Sequence, residues 1–224
     1  MKRIFDFLVS AVCLLLFSPL MVLVGIAIKF DSDGSVFYRG TRVGRYGKPF
    51  KMFKFRTMVK EAEKIGASST SEEDPRVTRV GRVLRKYKID ELPQLINVLR
   101  GDMSIVGPRP EVQKFVDLYT EEQKDILKVR PGITDWASIM FHNEGEIIQA
   151  SEIKDADEAY AKLIRPQKLR LQLIYVDKHN IWTDIRIMIC TILTVFSTRL
   201  GGKPIGVPRT ESTGDYSTKG QIGF

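Results

Sequence analysis

An apolar stretch at the start of the chain constrains its fold more than any other feature: Ile4–Ile28 holds 25 residues with Asp6 as the only charge. As a straight helix it would be about 37 Å long, enough to cross the ~30 Å hydrocarbon core of a bilayer. Ser18-Pro19 interrupts it. Proline removes a backbone donor and its ring clashes with the preceding turn, so the sequence predicts a kink or break there. The halves, Ile4–Phe17 and Leu20–Ile28, would be about 21 and 14 Å long, and neither crosses alone. Lys2 and Arg3 precede the stretch, and Lys29, Arg39, Arg42 and Arg45 follow it. Cationic flanks favour the cytoplasmic side, so positive charge at both ends suits a bent helix that enters and leaves on one face. A kinked span also accommodates a proline, and geometry alone leaves the two readings open. A cleaved signal peptide is the weaker reading, because the run is long for an h-region and no small-x-small site precedes Lys29.

Charge is spread unevenly over the 224 residues. Residues 1–100 carry 19 Lys+Arg and 10 Asp+Glu, a net +9, whereas residues 101–224 carry 16 and 17, a net −1. The basic surplus therefore shares its half of the chain with the apolar stretch. With 43% hydrophobic residues the sequence is neither disordered nor low-complexity. Its two cysteines, Cys13 and Cys190, lie in apolar segments. This excludes a disulfide scaffold and fits reduced thiols packed as small hydrophobes.

From Arg39 to Lys60 the basic residues Arg39, Arg42, Arg45, Lys48, Lys51, Lys54, Arg56 and Lys60 are interleaved with Tyr38, Tyr46, Phe50, Phe53 and Phe55, with no acid between Asp33 and Glu61. Val36-Phe37-Tyr38 and Phe50–Phe55 read as strands around a Gly44–Gly47 turn. Such a cluster suits nucleic acid. Beside a membrane segment it is better read as facing anionic lipid headgroups, at about 1 kcal/mol per basic residue, or a phosphate-rich substrate. A second basic group follows at Arg76, Arg79, Arg82, Arg85, Lys86 and Lys88, with Arg79, Arg82 and Lys86 at helical spacing. Gly66–Asp74 between the two groups reads as a polar surface loop.

Leu92, Leu95, Ile96 and Leu99 predict a helix that stops at Gly101, with Pro93 in its first turn. Asp90 and Glu91 then sit at its N-terminus. One reading is an N-cap with a dipole-complementing acid. The chemical reading is that the helix dipole and Arg85 keep Asp90 ionised, ready to attack a phosphoryl group and form an acyl-phosphate. Paired carboxylates also bind Mg²⁺, which neutralises phosphate oxygens. Downstream, Pro108 and Pro110 flank Arg109 and hold it for a bidentate grip on phosphate, or form an ordinary turn.

Taken in order, Ser18-Pro19, Val36-Phe37-Tyr38, Lys54-Phe55-Arg56-Thr57-Met58, Asp90-Glu91-Leu92-Pro93-Gln94-Leu95, Ser104-Ile105-Val106-Gly107-Pro108-Arg109-Pro110 and Arg130-Pro131-Gly132-Ile133-Thr134 resemble the monotopic phosphoglycosyl transferases, the bacterial sugar transferase family. The resemblance covers residues 1–197. It implies an α+β fold, helix-dominated with a small antiparallel β element, with amphipathic helices lying at the membrane interface. It also implies a re-entrant membrane helix over residues 1–30 broken at Ser18-Pro19, a catalytic domain over 31–197 on the cytoplasmic face of the bacterial inner membrane, and a flexible tail over 198–224. The implied reaction moves a sugar 1-phosphate from a UDP-sugar to polyprenyl (undecaprenyl) phosphate and releases UMP, a first membrane step of glycoconjugate or polysaccharide assembly. Asp90 matches the nucleophile, Glu91 its partner carboxylate, and the pair works with Mg²⁺. Arg85 and Arg109 match the phosphate-binding arginines.

The match has departures. Gly40 and Ser138 stand where many members have Gln, and Asp135 where many have Gly, which leaves the sugar open. The chain lacks the multi-span N-terminal domain of larger members and reads as a minimal catalytic unit. The partners expected are the UDP-sugar, polyprenyl phosphate and anionic lipids, with no nucleic acid, and the sequence sets no oligomeric state. Two other functions fit parts of the pattern: a Mg²⁺-dependent phosphatase using Asp90, and a membrane-anchored nucleic-acid adapter using the Arg39–Lys60 cluster. Elsewhere, Thr120–Gln123 reads as a capping box, Arg165–Asp177 as a helix, and His142 and His179 as structural. Trp182–Phe196 gathers Ile185, Met188, Ile189, Ile192, Leu193 and Phe196 on one face, read first as a core helix and second as an interfacial one.

Overall fold

The apolar N-terminus forms one helix, α1 (Lys2–Asp31), which continues through Pro19. Pro19 has no N–H for the carbonyl of Leu15, and the Ser18 hydroxyl donates to that carbonyl instead, at 2.8 Å. The serine thus satisfies the acceptor that the proline orphans, which favours a continuous helix where the sequence predicts a kink or break. The structure, a computed structural model, describes residues 1–62, 74–199 and 202–208. They divide between two compact units, one drawn from 1–66 and 75–133 and the other from 67–74 and 134–224. The loop expected over 66–74 and the tail expected over 198–224 lie outside the described residues, apart from Asp74, the end of the last helix and residues 202–208.

Both ends of α1 are tied to the first unit. At its start Arg3 donates to the carbonyls of Val98 and Leu99. Asp6, the one charge in the apolar stretch, is only 2% exposed. It accepts from the Ser104 hydroxyl at 2.8 Å and the Ile105 N–H at 3.3 Å. At its end Asp31 accepts from the Val80 N–H, and the buried Arg56 donates to the carbonyls of Ser32 and Asp33. Between these ties Leu8, Val12, Leu15, Leu16 and Leu23 are exposed. Among the described residues α1 is long and apolar enough to cross a membrane.

In the first unit β1 (Phe37–Val43) pairs antiparallel with β2 (Pro49–Phe55) across a 3₁₀ turn at Arg45–Gly47. The register sets Phe37 opposite Phe55 and Tyr38 opposite Lys54. Alternation sends Phe53 and Phe55 to one face and Met52 and Lys54 to the other. Phe55 packs with Val24 and Ile28 of α1 and Leu84 of α2 (Arg79–Lys86). Met52 packs with Val98 and Met103, beside α3 (Gln94–Arg100), which stops at Gly101 with φ +90° as expected. The fully buried Asn97 joins α3 to β2, accepting from the Phe53 N–H and donating to the Lys51 carbonyl and to Asp102. Next come β3 (Ser104–Val106) and α4 (Gln113–Val116), then a 3₁₀ turn at Gln123–Lys128. The capping box opens that turn: Thr120 and Gln123 exchange backbone-to-side-chain bonds at 3.1 and 3.3 Å. The strand β4 (Gly132–Thr134) pairs with β3.

The second unit is helical: α5 (Trp136–Met140), α6 (Glu144–Gln149), α7 (Ala156–Ala159), a π-helical stretch at Tyr160–Ile164, α8 (Arg165–Lys178) and α9 (Ile181–Arg199). Asp135, a departure from the family pattern, is fully buried and caps α5 by accepting from the Ser138 N–H, with Gln172 donating to its other oxygen. In α9 the expected core face is reversed. Ile189, Ile192, Leu193 and Phe196 are exposed, while Asp184, Ile187, Cys190 and Thr194 are buried. The buried polar members have partners that make this possible: Tyr175 donates to Asp184, and Thr194 accepts from the Ile205 N–H. Among the described residues the fold is thus helix-dominated α+β with two small sheets, each of two strands.

Candidate active site

After α2 the chain reverses at Lys88, whose φ of +56° is left-handed, and enters a 3₁₀ turn at Ile89–Glu91. Pro93 then caps α3, so the two carboxylates occupy a separate turn just ahead of the helix. The reversal carries Asp90 inward to 6% exposure.

Glu91 is clamped. Its Oε1 accepts from Lys54 Nζ at 3.0 Å and from Arg109 Nη2, and its Oε2 accepts from Arg109 Nη1 at 2.9 Å. The three side chains are 14%, 20% and 26% exposed for Glu91, Lys54 and Arg109. Burial opposes ionisation of Glu91, but the Arg109 guanidinium and the Lys54 ammonium outweigh it and hold the carboxyl well below the usual range. Burial lowers Lys54, with Glu91 pulling the other way. Arg109 is placed by backbone packing as well as by its prolines. A Cβ on Gly132 would lie 2.1 Å from the Gly107 nitrogen, and one on Gly107 would lie 2.4 Å from the Arg130 carbonyl oxygen. Only glycines allow the two segments to approach this closely.

At Asp90 an influence absent from the sequence expectation enters. Burial is the largest influence and raises its pKa, with Lys54, Lys88 and Arg85 opposing and Glu91 adding to the rise. Burial is thus a larger influence on Asp90 than Arg85 is. Its Oδ1 has no hydrogen-bond partner among the described residues. Two adjacent carboxyls pushed in opposite directions are the pattern of a site that assigns them different roles.

Arg85 is set beside this pair by α2. Thr78 donates its N–H to the Thr57 carbonyl, and a Cβ on Gly81 would lie 2.1 Å from that same oxygen. The first turn of α2 thus rests directly on the Thr57 backbone, and one turn later Arg85 Nε donates to the Thr57 hydroxyl at 2.9 Å. Asp90, Glu91, Arg85 and Arg109 therefore converge within one unit, and Ser18 and Pro19 belong to α1. Lys54 and Lys88, which the sequence places in its basic groups without a site role, join the site. Strand alternation offered a signal for Lys54, since it lies between Phe53 and Phe55 and must face the opposite side. Lys54 and Arg56, read among headgroup-facing charges, instead point inward.

No group of three or more His, Cys, Asp or Glu gathers for a metal among the described residues. Both Glu91 oxygens are committed to Lys54 and Arg109, which weakens it as a ligand. Asp90, with its unpartnered oxygen, fits the sparse protein contribution Mg²⁺ requires, namely one or two carboxylates completed by substrate phosphates.

The bacterial sugar transferase family matches residues 1–198. The chain is 38% identical over 199 residues to the UDP-N-acetylgalactosamine-undecaprenyl-phosphate N-acetylgalactosaminephosphotransferase of Aeromonas hydrophila, covering 88% of this chain and 44% of that protein. It is 38% identical over 201 residues to the UDP-glucose:undecaprenyl-phosphate glucose-1-phosphate transferase of Escherichia coli (strain K12), covering 88% and 40%. It is 38% identical over 213 residues to the exopolysaccharide production protein ExoY of Rhizobium meliloti (strain 1021), covering 88% and 86%. The chain thus spans less than half of the first two relatives and most of the third.

Proposed function

Because the chain belongs to the bacterial sugar transferase family, we propose that it transfers a sugar 1-phosphate from a UDP-sugar to undecaprenyl phosphate, through a covalent aspartyl intermediate at a membrane surface. The observation that carries this reading is the division of labour in the dyad. Asp90 has an unpartnered carboxylate oxygen, while Glu91 is held ionised by Arg109 and Lys54. In the first step an Asp90 oxygen attacks the sugar-bearing phosphorus. An aspartyl O–P bond forms, the bond to the bridging oxygen breaks, and UMP leaves with that electron pair. In the second step an oxygen of the lipid phosphate attacks the same phosphorus and returns the electron pair to Asp90. Arg109, Lys54 and Arg85 supply the positive charge on which the donor diphosphate settles. Mg²⁺, held by Asp90 and substrate phosphates, would neutralise phosphoryl oxygens.

Burial that raises Asp90 has a consequence for this scheme. Cationic charge that accompanies the donor would oppose that rise and favour the ionised nucleophile. The donor sugar differs among the relatives, one using UDP-N-acetylgalactosamine and another UDP-glucose. A UDP-sugar is therefore the class proposed.

Membrane attachment is proposed through α1. A crossing helix would put its ends on opposite sides of a ~30 Å core. Both ends of α1 are hydrogen-bonded to the same unit, which supports a re-entrant helix. Its cationic flanks favour the cytoplasmic face. The exposed apolar face of α9 suits the membrane interface.

The test is UMP release from a panel of UDP-sugars, with undecaprenyl phosphate and Mg²⁺, by wild-type protein and Asp90→Asn in membranes. One sugar is expected to be turned over by the wild type only. Wild-type rates in Asp90→Asn would remove the nucleophile assignment. Phosphate release without the lipid would indicate a phosphatase.

A further inference from the structure

Gln94, the first residue of α3, is fully buried, and neither its Oε1 nor its Nε2 has a hydrogen-bond partner among the described residues. Burying a carboxamide with both ends unpaired is costly, because the water it gave up is not replaced. The neighbouring Asn97 shows that α3 does not impose this. It is equally buried, yet its oxygen accepts from the Phe53 N–H and its nitrogen donates to Lys51 and Asp102. A Leu or Met at position 94 would fill the space without the cost. An expensive polar group kept in the core calls for a state in which it is paired.

A candidate lies one turn earlier in the chain. Asp90 is four residues before Gln94, and the backbone between them stays right-handed helical, with φ/ψ of −51°/−38° at Leu92 and −62°/−15° at Pro93. Asp90 also carries an unpartnered buried oxygen. Spacing of one turn lets a Gln amide reach an Asp carboxyl. In the resting site the two are not bonded.

We infer that Gln94 is a positioning residue for Asp90: its Nε2 donates to the Asp90 oxygen left as the carbonyl once the other oxygen has bonded phosphorus. This rests on the proposed covalent reaction. The bond holds the carboxyl in the rotamer in which its other oxygen bonds phosphorus and stabilises the aspartyl group as it forms, the step that the labelling rate reads. The carboxamide is neutral, so it does not compete with phosphate for Lys54 or Arg109.

The experiment uses full-length wild type, Gln94→Met and Gln94→Glu in detergent or nanodiscs, with UDP-sugar radiolabelled in its sugar-proximal phosphate. Thermal melting, donor binding and the single-turnover rate of protein labelling are measured. Gln94→Met removes the unpaired amide and keeps the volume, so its melting temperature is expected to rise. Its labelling rate is expected to fall at least tenfold with donor affinity within twofold of wild type. Gln94→Glu keeps the size but lacks the donor, and should label as slowly as Gln94→Met. Labelling of Gln94→Met at the wild-type rate would overturn the inference, and so would a lowered melting temperature with an unchanged rate, the signature of a structural amide. If wild type itself acquires no label while turning over donor, the covalent reading fails first, and the two failures are distinguishable.

Discussion

Replacing Arg109 with Gln should destabilise the protein by about 2–3 kcal/mol, and the figure follows from what Arg109 does for Glu91. The guanidinium makes two charge-assisted bonds to one carboxylate, each worth about 1.5–3 kcal/mol when desolvated. Exposure of 26% for Arg109 and 14% for Glu91 reduces this, and Lys54 at 3.0 Å still compensates the orphaned carboxylate. At about 2–4 °C per kcal/mol for a chain of this size, the melting temperature should fall by about 4–12 °C near pH 7.5. Much of the cost is the penalty of leaving Glu91 charged and poorly paired. Arg109→Gln combined with Glu91→Gln should therefore be less destabilised than the sum of the single variants. The pH dependence has a definite sign. The folded pKa of Glu91 is depressed below its ordinary 4.5, so its contribution is present above that pH and is lost as the pH falls through the folded value. The gap between wild type and Arg109→Gln should accordingly narrow in acid. Scanning fluorimetry of the four proteins in detergent, from pH 7.5 down to about pH 3, measures all of this. An unchanged melting temperature at pH 7.5, or strictly additive losses, would refute the clamp.

Three further outcomes are expected. Asp90 is the opposite case: burial raises its folded pKa above 3.8, so its stabilising contribution is present below that value and is lost as the pH rises through the folded pKa. Asp90→Asn should then melt higher than wild type near pH 7.5 in metal-free buffer, with the difference closing toward pH 3.5, as read by the same melts. Gly81→Ala forces a Cβ to 2.1 Å from the Thr57 oxygen, so α2 must shift, with a loss of about 1–3 kcal/mol by denaturant unfolding and a weakened grip of Arg85 on Thr57. In a background lacking Cys13 and Cys190, single cysteines introduced at Lys2 and Lys48 should be labelled by an impermeant reagent from the same side of sealed vesicles; labelling from opposite sides would rule out a re-entrant α1.

Local chemistry made much of this protein legible before any packing was known. Gly101 ends α3 because the chain needs a left-handed residue there, and the hairpin follows from aromatic alternation around a glycine turn. Thr120 and Gln123 cap one another as their spacing suggests. The dyad and the two arginines were visible as residues of the right type in the right order. Three other readings were divided between alternatives by contacts that spacing does not contain. Ser18-Pro19 predicts a kink or break because proline loses a bond; the helix is continuous there, and whether a neighbouring hydroxyl replaces the bond depends on the rotamer. The face of α9 rich in isoleucine and leucine points outward because Asp184 and Thr194 find partners inside. Lys54 and Arg56 sit in a basic run, and only the strand and its neighbours send them inward.

The division has a physical basis. Turn signals, caps and apolar periods act over one or two turns of chain, so the sequence by itself determined the apolar membrane-sized helix, the hairpin, the main helices and the candidate reactive carboxylates. Charge state and pairing depend on groups brought together from distant parts of the chain. Glu91 meets Lys54 from 37 residues earlier and Arg109 from 18 residues later. Asp6 meets Ser104 across 98 residues. Only the tertiary structure could therefore decide that Glu91 is the clamped anion, that Asp90 is the desolvated acid beside it, and that both ends of α1 are held by one unit.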